Sequence, residues 1–238
     1  MGIWRDRPTP HVDNMLDAAE GRNGRYGERY VLPVLGGHGT HVAADEGSYF
    51  TAITPTPGTG IIGAAVTTFV ETTPILVLYN GHSSNRIILD FLRLIKTVVE
   101  VTSTRVQHTF VVDDGNRYSS GGTALTINNS NMDSLNSSGA SGYVGAITAS
   151  AASANRRVLG HVVSRGATVG VVHDVLQFNF GHGSTHAQGY ATTTSVSQFI
   201  FNMPPVVLGP DQSFVLYDWA AAMATAPTWA VEFGFVSR

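Results

Sequence analysis

From about Ser48 to its end, the chain is a succession of short apolar and β-branched runs, each cut off within strand length by Gly, Pro, Asn or Asp. Runs of that kind form strands, and no βαβ alternation or long amphipathic helix separates them. An all-β sandwich, jelly roll or barrel is therefore expected, with roughly eight to eleven strands. Expected strands cover 48–53, 64–70, 75–80, 86–95, 104–112, 143–149, 156–163, 168–172 leading into 174–180, 195–202, 212–219 and 230–236. In 86–95, Ile88, Asp90, Leu92 and Leu94 fall on one face and Ile87, Leu89, Phe91, Arg93 and Ile95 on the other. Both faces are mainly apolar, so the strand is expected to be covered on two sides, with a helix as the competing reading. Asp113-Asp114-Gly115-Asn116 reads as a tight hairpin turn. The Ser/Gly/Asn/Thr-rich stretch 119–142 reads as a long polar loop (a lid, a binding loop or a subunit contact) with a short strand near 124–127.

At 238 residues the chain can bury a sizeable core. Only 13% of residues are charged, well under the usual quarter, which suits a protein whose surface is partly taken up by subunit contacts. The net charge of −3 gives no electrostatic ground for nucleic-acid binding. Lys96 is the only lysine among 14 basic residues, and cysteine is absent. Disulfides, thiolate metal sites and cysteine nucleophiles are thereby excluded. No signal-peptide pattern or membrane-spanning run is recognisable, so the expectation is a protein made in the cytoplasm without a membrane partner.

Residues 1–46 differ from the rest. They hold five arginines and seven acidic residues, three prolines and one candidate short helix at 13–20, with Asp13 as N-cap and Gly21 as stop. So short a helix does not stand alone in water. The segment reads as an extended arm ordered against a partner, followed by a β domain over 47–238. Trp4, Tyr26 and Tyr30 argue against a purely solvated tail, since aromatic residues concentrate at interface anchors.

Recognisable catalytic chemistry is sparse. His38/His41 and His182/His186 each place two imidazoles in glycine-rich sequence, a pattern that could ligate a transition metal. Neither has the helical glutamate of a metalloprotease, so no metal or cofactor is expected. Asp113-Asp114 reads as a turn, Asp45-Glu46 as the end of the arm, and Asp90, Asp174 and Asp218 as sheet residues with satisfied carboxylates. No nucleophile elbow, phosphate loop or dinucleotide fingerprint is present. Gly36-Gly37-His38-Gly39 is followed by neither lysine nor an evident helix. The chain is expected not to be an enzyme.

Several segments, 74–80, 89–95, 117–126, 131–133 and 204–213, together resemble virion proteins of tailed bacteriophages over roughly residues 70–238. The resemblance implies a jelly-roll-like antiparallel β-sandwich, often trimeric, mounted on the outside of the capsid as a cement or decoration protein. Its partners would be the major capsid protein and two further copies of itself. The arm would supply the capsid contacts, with Trp4, Arg5, Arg7, Arg22, Arg25 and Arg29 as candidates and Tyr26 and Tyr30 as aromatic anchors. Two other classes fit the same sequence: a fibre or receptor-binding protein recognising host glycan, and a carbohydrate-active β-sandwich enzyme.

Overall fold

The computed structural model describes residues 35–102, 105–164, 170–181 and 198–238. The chain divides into two units, Met1–Val42 and Ala43–Arg238. One helix, α1 (Leu35–Asp45), is described. It occupies sequence read as a glycine loop, and Gly36, Gly37 and Gly39 are the reason it was not legible, since each lowers helix propensity by about 1 kcal/mol relative to Ala. The expected helix at 13–20 lies outside the described residues; of the expected strand at 168–172 only 170–172 are described, and they are not strand, β10 beginning at Val175.

The strands are β1 (Tyr49–Ile53), β2 (Ile61–Ile62), β3 (Leu76–Asn80), β4 (Ile87–Val98), β5 (Val106–Asp113), β6 (Tyr118–Ala124), β7 (Thr126–Asn129), β8 (Ala140–Ala149), β9 (Arg157–Ser164), β10 (Val175–Phe180), β11 (Gln198–Met203), β12 (Val207–Leu208), β13 (Ser213–Trp219) and β14 (Thr228–Ser237). One sheet runs β11-β10-β4-β14-β1-β7, the other β6-β8-β3-β13-β5-β9. Take β1, β3, β4, β5, β9, β10, β13 and β14 as one to eight in chain order. They then lie 1-8-3-6 in the first sheet and 2-7-4-5 in the second. This is the doubled Greek key of a jelly roll, and the all-β sandwich expected from the sequence is the fold. The strands β6, β7 and β8 form an insertion between β5 and β9 that widens both sheets on one side. On the other side β11 adds to β10 in parallel.

The inner faces meet in one aromatic-rich core. Phe110, Phe178, Phe180, Phe214, Phe233 and Phe235 interlock with Leu76, Leu78, Leu92, Leu94 and Leu216. Phe214 from one sheet and Phe233 from the other stand edge to face at 5.8 Å, and Phe110 meets Phe178 at 4.7 Å. Offset and edge-on ring pairs of this kind add about 0.5–1.5 kcal/mol each beyond the area they bury.

The long strand β4 corrects the expectation of two covered faces. Its pairing with β14 skips a residue at Asp90 and again at Thr97. A bulge reverses the alternation, so Ile87 and Leu89 point inward before Asp90, and Leu92, Leu94 and Lys96 point inward after it. Two apolar sequence faces thus become one buried face.

Three further expectations give way. The segment 64–70 is not a strand; it belongs to a loop that drapes over the outer face of the β3-β13-β5 sheet. There Phe69 packs edge-on against Tyr217 at 5.0 Å, above Val77, Val111 and Val215. Its apolar residues reflect that covering role. Residues 113–116 do not make a hairpin, because β5 and β6 lie four places apart in their sheet. The connection crosses the start of β13, where Ser213 Oγ donates to Gly115 O (2.7 Å) and accepts from Arg117 N (3.1 Å). The polar stretch 119–142 is largely strand, an exposed edge built from Ser, Gly and Thr. Its pairing slips near Ser120 and near Gly122, and such bulges discourage edge-to-edge association.

Two tyrosines bear on alkaline stability. Burial, with lesser repulsion from Glu71 and Asp113, pushes the Tyr217 phenol up to about 12 despite the nearby Arg117 and Arg156. Burial likewise raises Tyr49, helped by its 2.7 Å hydrogen bond to Asp90 and the charges of Asp90 and Glu232. A phenol that holds its proton more tightly when folded stabilises fully below its unfolded value of 10.0. That stabilisation is lost as pH rises from there through the folded value. Ultraviolet titration should therefore leave part of the absorbance of the eight tyrosines un-ionised at about pH 11, appearing only with unfolding. The Tyr49→Phe/Tyr217→Phe variant should lose that late step; an unchanged titration would contradict the assignment.

Candidate functional site

The described residue cluster richest in chemistry lies inside the sandwich. His108 on β5 is paired directly with Asp218 on β13, and Ser164 ends β9 opposite Val106, one step along from His108. All three side chains point inward from the sheet. His108 Nδ1 meets Asp218 Oδ1 at 2.5 Å and His108 Nε2 meets Ser164 Oγ at 2.9 Å. The second Asp218 oxygen accepts from Trp229 Nε1 at 2.8 Å. The Ser164 hydroxyl also lies 3.3 Å from the Val106 carbonyl. In connectivity this is the Asp–His–Ser order that activates a serine nucleophile.

Its surroundings decide what it can do. His108, Asp218 and Ser164 are 0%, 2% and 5% exposed, and the imidazole is bracketed by Phe178 at 6.1 Å and Trp229 at 6.2 Å. Acyl transfer requires a carbonyl carbon about 3–3.5 Å from the serine oxygen, with donors placed for the oxyanion. Here the hydroxyl faces a packed interior and bonds inward to His108 and the β5 backbone. With a neutral imidazole, Nδ1–H donates to Asp218 and Nε2 accepts from Ser164. With an imidazolium, both nitrogens donate and Ser164 turns its proton to Val106 O. Either way the network ties β5, β9, β13 and β14 together.

Next to it lies a second buried polar unit. Lys96, turned inward by the Asp90 bulge, is 4.9 Å from the Trp229 ring centroid and donates to Glu100 Oε2 at 2.5 Å. Both side chains are almost wholly enclosed, and Glu100 Oε1 accepts from Gly170 N at 3.0 Å. Gly170 gives this pair its room: a Cβ there would stand 2.1 Å from Lys96 Nζ and would have to displace the amine.

A third buried pair closes the opposite, outer face. Arg117 Nη1 donates to Asp113 Oδ2 at 2.7 Å. Arg117 Nη2 donates to Glu71 O at 2.8 Å and approaches Tyr217 Oη at 3.3 Å. Burial alone would raise the Asp113 carboxyl, but hydrogen bonds from Ser153 and Arg117 outweigh it and hold it below the usual 3.8.

The residues expected to contact a capsid or to hold a metal are not in these clusters. Trp4, Arg5, Arg7, Arg22, Arg25, Tyr26, Arg29, Tyr30, His182 and His186 lie outside the described residues, as does the side chain of His38. His41 is exposed on α1. Among the described residues no three His, Asp or Glu side chains group as a metal ion requires. Asp218, read as a satisfied sheet residue, is one. His108 carried one usable signal, a polar side chain on the same face as Val106 and Phe110 of an alternating strand; Ser164, just beyond the expected strand 156–163, carried none. No protein-family model matches the chain, and no curated protein or solved structure matches it either.

Proposed function

We propose that the chain is a structural component of a phage particle: a cement or decoration protein on the outside of the head, trimeric and without catalytic activity. The observation that carries this reading is the jelly-roll strand order, with the chain's Ser–His–Asp chemistry spent on holding the sheets together. Jelly rolls recur in capsid proteins, lectins and cupins, and a roll whose reactive groups are enclosed suits the first of these roles. The arm 1–46 makes the contacts with the major capsid protein, through Trp4, Arg5, Arg7, Arg22, Arg25 and Arg29, with Tyr26 and Tyr30 as anchors. Arms gain from ordering on a partner, and several weak contacts per trimer add through multivalency.

The test is decoration of heads that lack the protein, read by electron microscopy. Full-length protein should coat the heads, and residues 47–238 alone should fold but leave them bare. Complete decoration by the truncated protein would remove the arm from the mechanism. Full-length protein found only on tails, or retained by host glycan instead of heads, would replace the cement reading with the fibre reading.

A further inference from the structure

The chain has no cysteine, and its single lysine is sealed in the interior. Neither a disulfide nor a lysine-derived link can therefore fasten a weak edge. The edge in question is β6, built from Ser, Gly and Thr and exposed along most of its length. It is the last described strand of its sheet and holds to β8 through a ladder that slips twice. On the outer face of that edge two tyrosines lie ring on ring. Tyr118 opens β6 and Tyr143 stands in β8; their centroids are 3.5 Å apart and their planes within 4° of parallel. Among the described residues every other ring pair stands at 4.7 Å or more. The two are not ladder partners, since Tyr118 pairs with Ala149 and Tyr143 with Ala124. Each ring therefore leans along the strands toward the other, and the Tyr118 hydroxyl donates to Gly121 O at 3.2 Å. Gly121 has φ +79°, and a Cβ on it would stand 2.6 Å from Ala146 O, so the backbone that receives the hydroxyl requires glycine. Both rings rest on the outer cluster around Val77 and Ile147 and keep part of their surface in solvent.

Neutral rings avoid this arrangement, because stacked faces set negative charge against negative charge and offset or edge-on contacts are preferred. Removing an electron reverses the preference, since the positive hole spreads over both rings only when they lie face to face. The pair is thus disposed toward oxidation. We propose that Tyr118 and Tyr143 form an oxidative cross-linking site, joined as dityrosine by a one-electron oxidant such as the ferryl haem of a peroxidase. Each phenol gives one electron to the oxidant and one proton to water, leaving two phenoxyl radicals face to face. An ortho carbon of each ring supplies one electron to a new carbon–carbon bond. The hydrogens on those two carbons then move to the oxygens and restore both phenols. The product has lost two hydrogens, carried off as two electrons and two protons; with a peroxidase, one hydrogen peroxide becomes two waters. Rings already in contact make the coupling unimolecular, with the orientation of the reacting carbons set in advance. The link clamps the start of β6 to β8 and closes the chain between residues 118 and 143, which removes freedom from the unfolded state. It goes beyond the reading of the chain as a particle component and rests on no part of it.

The test is oxidation of the full chain by photo-excited tris(bipyridine)ruthenium with persulfate, in buffer and in concentrated urea, with free tyrosine as the control that the oxidant works. Trypsin then releases residues 118–156 as one peptide, because no Lys or Arg lies between Arg117 and Arg156. Asp133 is the only aspartate within it, so a protease that cuts before aspartate separates Tyr118 from Tyr143 unless the two are joined. Native wild type should give the joined pair, two hydrogens lighter and with dityrosine fluorescence. Tyr118→Phe and Tyr143→Phe should each lose it. Both variants keep a ring in the stack, so their urea midpoints should match that of unlinked wild type, which separates loss of the phenol from loss of fold. Cross-linked wild type should unfold at higher urea, and an unchanged midpoint would overturn the link's role as a clamp. Absence of the joined pair from native wild type, while free tyrosine couples, overturns the inference. So does a joined pair that forms as readily in urea, or one that either phenylalanine variant retains. Dityrosine found only between separate chains, with 118 and 143 left apart, overturns it as well.

Discussion

Replacing Asp218 with Ala should destabilise the protein by about 3–5 kcal/mol, since it leaves two buried donors without their acceptor and a void beside them. The substitution takes the acceptor from His108 Nδ1 and from Trp229 Nε1 at once, at positions 0% and 1% exposed. Each orphaned donor in a dry interior adds about 1–3 kcal/mol, and the vacated volume sits between two sheets that cannot close over it. Asp218→Asn, which keeps one acceptor oxygen, should lose roughly half as much. Ser164→Ala should lose only about 0.5–1.5 kcal/mol, since it removes a neutral hydroxyl. Urea unfolding measures all three. A loss under about 1 kcal/mol for Asp218→Ala would mean that the network does not fasten the sheets.

The second large effect concerns Arg117. Arg117→Met should destabilise by about 3–5 kcal/mol, because the Asp113 carboxylate would remain buried without its cation, held only by hydrogen bonds from Ser153. The pair itself is imperfect: Asp113 Oδ1 and Arg117 Nε have no hydrogen-bond partner among the described residues. The double variant Asp113→Leu/Arg117→Met should therefore recover most of the loss, since a well-packed apolar pair can match a buried ion pair. The pH dependence follows from the same contacts. In wild type the Asp113 carboxyl is held below 3.8, so its contribution is fully present above that value and is lost as pH falls through the lower folded value. In Arg117→Met the carboxyl loses the lowering that Arg117 supplies, so it takes up its proton at higher pH than in wild type and protonation relieves the buried charge. The stability gap between the two proteins should narrow as pH drops below about 4; a gap that stays constant or widens would contradict the assignment.

How far these features could be read in advance differs element by element. Strands such as β1, β3, β13 and β14 were legible because local chemistry and final environment agree: short β-branched and aromatic runs between turn residues. The inward side of β4 was not, because one unpaired residue at Asp90 reverses every assignment after it, and nothing in a period-two pattern marks a bulge. The turn at 113–116 has the residues of a hairpin, yet Ser213 captures it for a crossing. Turn chemistry fixes the bend and leaves the destination open. For the polar cluster, burial is the missing information. His108 and Ser164 are separated by 56 residues, and pairing between β5 and β9 is what brings them together. The apolar residues of 64–70, expected as a strand, form a covering loop instead, because an apolar run does not say whether it joins a sheet or lies on one.

Lys96 has a consequence outside the fold itself. It is the chain's single lysine, and its amine is sealed against Glu100 and Trp229. The folded protein thus offers no accessible side-chain amine to acylating reagents, aldehyde fixatives or lysine-directed conjugation. In such chemistry Lys96 stays unmodified while the native fold holds, and a modified Lys96 records that the sandwich has opened. The molecule carries, at one position, its own chemical mark of having unfolded.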